Sequence, residues 1–204
     1  KFGKVYYFRL YDIANDEVVV ASSTNPTLAG ESTSLVFSVD GVDANTTIAG
    51  IVTDATTTAT SLDFGLLPFD TDVEVAQEIT VNTNATEGYQ VYKYVDQQLL
   101  NSYSDQIQPI TGTNAVPVSW GTGCSGSAVS CSGYHTTDAT LEGGSGRFAP
   151  TDSYAALSTS LSEIMYSSVP SVDVENIIYR LRIGALQPIG DYTTTITYIA
   201  VPVF

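Results

Sequence analysis

The chain has 204 residues and carries 7 Lys+Arg against 22 Asp+Glu, a formal net charge of −15 at pH 7. That sign repels phosphate backbones and anionic lipid headgroups alike, which argues against nucleic acid as a partner. No apolar run approaches the roughly 20 residues that span a bilayer, so no membrane insertion of the mature chain is expected.

The length suits one large all-β domain with a single core. Thr, Ser, Val, Ile and Tyr recur throughout, while Met and Trp occur once each; these recurring residues fit a pleated, half-buried surface. The chain begins at Lys1 with neither an initiator Met nor a signal sequence and reads as a processed form.

The first element is an extended arm, residues 1–14, centred on Lys4 to Ile13. Tyr6, Phe8 and Leu10 fall on one face of such a strand, and Val5, Tyr7, Arg9 and Tyr11 on the other, with Ile13 closing the run. A strand with one greasy face needs a sheet to join. It is either the first strand of its own sandwich or a donor strand completing the sheet of a neighbouring copy.

The remainder, residues 15–204, reads as one β-sandwich domain. Val18-Val19-Val20-Ala21 is a short apolar run. Ser32 to Asp40 alternates, with Leu35, Phe37 and Val39 on one face, and ends at the turn pair Asp40-Gly41. Asp72 to Asn82 is the clearest strand, with Val73, Val75, Ile79 and Val81 pointing one way. The turn Ala85-Thr86-Glu87-Gly88 and the returning Tyr89, Val91 and Val95 predict a hairpin over 72–95, with Lys93 marking a place where that strand nears an edge or leaves the core.

From about 96 to 151 the strand signal gives way to Gly, Ser, Thr, Asn and Pro, a loop-rich insertion anchored by Trp120, Tyr134 and Phe148. Ser153 to Met165 has room for one helical turn. Two strands close the chain: Val174 to Gly184, with Ile177, Tyr179, Leu181 and Ile183 on one face and Arg180 and Arg182 on the other, and Tyr192 to Val203.

Cys124 and Cys131 flank a Ser/Gly-rich run and are the only thiols. A metal site would need more ligands than the nearby His135 supplies, so a disulfide pinching a loop is expected, in an oxidising, extracytoplasmic compartment.

Little in the sequence suggests catalysis. His135 reads as a solvated loop histidine without a neighbouring acid. No Gly-x-Ser-x-Gly elbow occurs, and Gly143-Gly144-Ser145-Gly146 lacks the Lys of a phosphate loop. Acids at Asp12/Asp16/Glu17, Asp70/Asp72 and Asp152 lack the spacing of a calcium loop and read as solvated turn residues. No catalytic residue, metal or cofactor is therefore expected. Asn45-Thr46-Thr47 and Asn84-Ala85-Thr86 match the glycosylation acceptor pattern at turns, making Asn45 and Asn84 candidate sugar sites.

Three stretches carry a resemblance: Thr83-Asn84-Ala85-Thr86-Glu87-Gly88-Tyr89-Gln90-Val91, Arg147-Phe148-Ala149-Pro150, and the run from Gly184 to Tyr198 containing Gly190-Asp191-Tyr192-Thr193-Thr194-Thr195-Ile196. Over roughly residues 32–204 the chain resembles secreted, Thr-rich β-sandwich surface proteins of bacteria, many from candidate phyla and uncharacterised. That family brings no catalytic residues. In architecture, a sandwich preceded by an extended strand is similar to donor-strand pilins and to TasA-like fibre proteins.

The resemblance implies an antiparallel β-sandwich of jelly-roll or Ig-like kind at the cell surface. Together with the arm, it leads to the expectation of a non-enzymatic, extracellular filament or pilus subunit whose partners are copies of itself. The alternatives are a monomeric adhesin or carbohydrate-binding module, with a host or neighbouring cell surface as partner, and a surface-layer protein.

Overall fold

A computed structural model of the chain describes residues 21–23, 33–126, 128–141 and 146–204. The expected arm, including Val5, Tyr6, Tyr7, Phe8, Leu10, Tyr11 and Ile13, lies outside the described residues, as does the run Val18–Val20.

The elements in chain order are β1 (Ala21–Ser23), β2 (Thr33–Gly41), β3 (Thr47–Ile48), β4 (Ile51–Val52), β5 (Asp72–Thr83), β6 (Tyr89–Val95), β7 (Leu99–Leu100) and β8 (Gln106–Ile107). There follow β9 (Val118–Ser119), the four-residue α1 (Trp120–Gly123), β10 (Cys131–Thr136), β11 (Ser153–Tyr154), β12 (Ser162–Ser167), β13 (Ser171–Arg182) and β14 (Ile196–Pro202). The protein is all-β, as the alternating strands and missing helical periods require.

Two antiparallel sheets carry the fold, one in the order β1-β2-β5-β13-β10 and the other in the order β12-β6-β14. β5 and β13 form the spine of the larger, paired without a break from Ser171↔Thr83 to Arg182↔Asp72. The apolar faces of the two sheets share one core. Leu35 and Phe37 of β2, Val75, Ile79 and Val81 of β5 and Ile177, Tyr179 and Leu181 of β13 pack in one cluster with Val91 and Val95 of β6 and Ile164 and Met165 of β12. Side chains of this size contribute about 1.5–3 kcal/mol each when fully buried. The outer face of the large sheet is also covered in part: β3 and β4 place Ile48 and half-buried Ile51 over Ala76 and Ile178.

The expected hairpin over 72–95 does not form. β5 pairs with β2 and β13, whereas β6 pairs with β12 and β14, so the turn between them arches from one sheet to the other. Gly88 makes the crossing possible: its φ is +74°, and a Cβ there would lie 2.1 Å from the Ser167 carbonyl oxygen.

Lys93, expected near an edge, sits instead on the middle strand of the small sheet and is wholly buried. The loop-rich insertion contributes a strand to the large sheet, because β10 pairs with β13 from Cys131↔Arg182 to Thr136↔Ile177. Ser153 to Met165 holds no helical turn; it supplies β11 and most of β12.

Candidate functional site

His135 is not a loop residue. On β10 it is 2% exposed, its Nδ1 lies 2.9 Å from the Ser153 carbonyl, and its ring meets Phe148 and Tyr154. Burial lowers its pKa from the ordinary value, so the neutral ring is favoured inside the fold.

Asp72 is likewise no solvated turn acid. It accepts hydrogen bonds from Trp120 Nε1 at 2.8 Å, Arg180 at 2.6 Å and Arg182 Nε at 2.7 Å. Burial pushes its carboxyl up, but those hydrogen bonds, from Arg182, Trp120 and Arg180, outweigh it and leave the pKa lowered. Arg180 also lies over the Trp120 and Tyr154 rings, so this network pins the 108–124 and 150–155 segments to the large sheet.

The core holds a polar chain that the alternation pattern gave no sign of. The Lys93 ammonium nitrogen lies 3.4 Å from the Tyr134 ring centroid and 5.6 Å from that of Tyr179, and has no hydrogen-bond partner among the described residues. Burial lowers its pKa to about 7. Asn114 donates to the Tyr134 hydroxyl at 2.8 Å. Tyr198 donates to Gln77 Oε1 at 2.9 Å, so Tyr179, 2.7 Å from Tyr198, donates to it in turn. The chain of hydroxyls ties β14 to β13 and β5 across the core. Lys93 is shut off from solvent and reaches no solute, which suits a packing role better than a chemical one.

A cleft of about 300 Å³ opens at one end of the sandwich, lined by Tyr89, Asp138, Tyr166, Asp173 and Glu175 among others. Its carboxylates are answered from within. Tyr89 and Ser171 donate to Asp173, Thr140 and the Tyr166 N–H to Asp138, and Thr137 to Glu175. Burial raises the Glu175 pKa against the opposing Thr137 bond, with Asp138 and Asp173 adding to the rise. Among the described residues no group of His, Cys, Asp and Glu is arranged to hold a metal ion, and no helix is long and apolar enough to cross a membrane.

Cys124 and Cys131 are joined by a disulfide, with their Cα atoms 5.7 Å apart. Both are buried with Ile110, Trp120 and Tyr154, so the bridge fixes a small second core as well as closing a loop. Asn45 is exposed with φ +63°, and Asn84 is exposed after β5. Asn84 Oδ1 accepts from the Ser34 N–H at 2.7 Å, so its side chain helps hold β2 to the end of β5.

The two sheets end differently at their edges. The outer edge of β12 is capped by side chains: Asn114 donates to the Glu163 carbonyl, Thr136 to that of Ile164, and Asp138 accepts from the Tyr166 N–H. β10 is bridged beyond its edge to Ala155 and to Pro109. β14 pairs with β6 on one side and with no other strand among the described residues. All seven of its residues, Ile196 to Pro202, are only half-buried, and its Ile196, Tyr198 and Ala200 pack against the shared core.

No family model, curated protein or solved structure that was compared with this chain matches it.

Proposed function

We propose that this protein is a structural subunit of an extracellular filament or pilus, which polymerises by donating its N-terminal strand, residues 1–14, to the sheet of the next subunit. The observation that carries the reading is the pairing of two incomplete parts. A strand with Tyr6, Phe8 and Leu10 on one face needs a sheet, and the sandwich has a half-buried strand, β14, that pairs on one side alone among the described residues. The disulfide fits an oxidising compartment outside the cytoplasm. The buried Lys93 and His135 and the half-buried Asp72 are each absorbed into packing or ion pairing, which favours a scaffold over an enzyme.

The test is deletion of residues 1–14 followed by electron microscopy of the purified protein. Loss of filaments with a folded body, restored by an added peptide of the same sequence, supports the reading. Normal filaments without the arm sink it.

A second reading, a monomeric adhesin, is favoured by one feature. Phe69, Tyr103, Leu186 and Ile189 are exposed on loops that meet at one pole, where Phe69 bridges to Ile183 and Gly190 packs against Asn101. Single particles in place of filaments would favour it.

A further inference from the structure

We propose that the edge of β14 that faces away from β6, from Ile196 to Ala200, is the acceptor site for the Lys4–Ile13 strand of a second copy of this chain. The proposal rests on the strand-donation reading and names the surface that reading needs.

The hydrogen-bond parity of β14 identifies the groups on offer. The Val203 N–H donates to the Gly88 carbonyl and its carbonyl accepts from the Glu87 N–H, while the Thr195 carbonyl accepts from the Asp96 N–H. Odd-numbered residues therefore turn their backbone groups toward β6. In an antiparallel pair the intervening residues turn both groups away, so Ile196, Tyr198 and Ala200 present N–H and C=O to the side away from β6, where no strand pairs among the described residues. Pro202, which shares their parity, has no N–H to present, and a proline on a strand belongs at an edge.

The same residues aim their side chains at the core. A strand laid along this edge would gain main-chain bonds and bring every second side chain to the core side of the small sheet, beside Ile196, Tyr198 and Ala200. Tyr6, Phe8 and Leu10 have that two-residue spacing. The other edges are less free: β12 and β10 are capped as described above, and β2 carries β1 of its own chain from Thr33 to Leu35.

Charge points to the same occupant. Residues 1–14 hold Lys1, Lys4 and Arg9 against Asp12, a charge of +2, which leaves −17 for residues 15–204. A cationic strand is thus attracted to an anionic body and complements it. Residues 14–20 lie between the donated strand and β1; extended at roughly 3.3 Å each they span roughly 23 Å, a tether from the body to the strand it would donate.

The experiment is disulfide trapping between two variant subunits, with the native Cys124–Cys131 bridge left in place. One carries Tyr7→Cys, on the face of the arm opposite Tyr6 and Phe8. The other carries Thr197→Cys, Ile199→Cys or Val201→Cys on β14, or Ser38→Cys on β2 as the competing edge. Assembly of the mixture followed by mild oxidation should give covalent dimers on a non-reducing gel with at least one β14 position and none with Ser38→Cys. Dimers with Ser38→Cys alone would overturn the edge assignment and leave strand donation standing. A double variant, Tyr7→Cys with Ile199→Cys, that closes only within single chains would overturn the proposal and donation together.

Ala200→Pro removes one outward N–H and nothing from the β6 ladder. It should leave the circular dichroism and melting of the body unchanged and cut assembly at least tenfold; undiminished assembly would count against the β14 edge.

Discussion

Lys93 Nζ stands 3.4 Å from the centroid of the Tyr134 ring, in the middle of the small sheet's core face and with no oxygen acceptor among the described residues. The ring's negative face favours the ammonium, and burial favours the amine; burial prevails and brings the pKa down to about 7.

Stability should therefore depend on pH in a particular direction. An unfolded lysine titrates near 10.5 and this one near 7, so between those values the unfolded chain binds more protons and raising the pH stabilises the fold. At about 1.4 kcal/mol per unit, moving from pH 7 to pH 9 should add about 2–3 kcal/mol from this residue. Lys93→Met, which keeps the stem and removes the amine, should be more stable than wild type at pH 7 and lack that rise. Urea denaturation of both proteins at the two pH values measures it, and equal slopes would show that the amine is solvated.

Asp72 gives the opposite dependence. Its folded pKa lies below the ordinary 3.8, so its contribution is present above that value and lost as pH falls below it. Asp72→Asn leaves Arg180 and Arg182 facing a neutral amide and should cost about 1–3 kcal/mol at pH 7, discounted for partial exposure of all three side chains. The difference from wild type should shrink on acidification toward pH 2, as read by chemical denaturation.

Leu181 is 4% exposed in the shared core. Leu181→Ala should destabilise by about 2–5 kcal/mol through lost contacts and the cavity left behind. A neutral result in thermal denaturation would mean that the core closes over the gap.

The Cys124–Cys131 bridge closes a short loop, and reducing it should cost about 2–3 kcal/mol, mainly by freeing the unfolded chain. Denatured, unreduced protein should take up no alkylating reagent, while reduced protein should take up two equivalents.

The sequence by itself determined which residues face inward along a strand. Leu35 and Phe37, Val75, Ile79 and Val81, and Ile177, Tyr179 and Leu181 are buried where alternation put them, because successive side chains on a strand point to opposite faces whatever the strand pairs with. The lone cysteine pair was legible for a similar reason: with no third thiol, there was one pairing to make.

What only the tertiary structure decided is which sheet each strand joins. A two-residue period says that a face is apolar and is silent on whether the next apolar face lies beside it or across the core. Residues 72–95 therefore read as a hairpin although β5 and β6 belong to opposing sheets. The same gap hid Lys93 and His135. A lysine in line with apolar positions is an edge marker if its strand is outermost and a buried amine if two strands flank it. A histidine among Gly and Ser belongs to a loop until β13 supplies a partner strand. Neighbours brought from Ser162 and Tyr198, far along the chain, make that difference for Lys93, and local pattern carries no information about them.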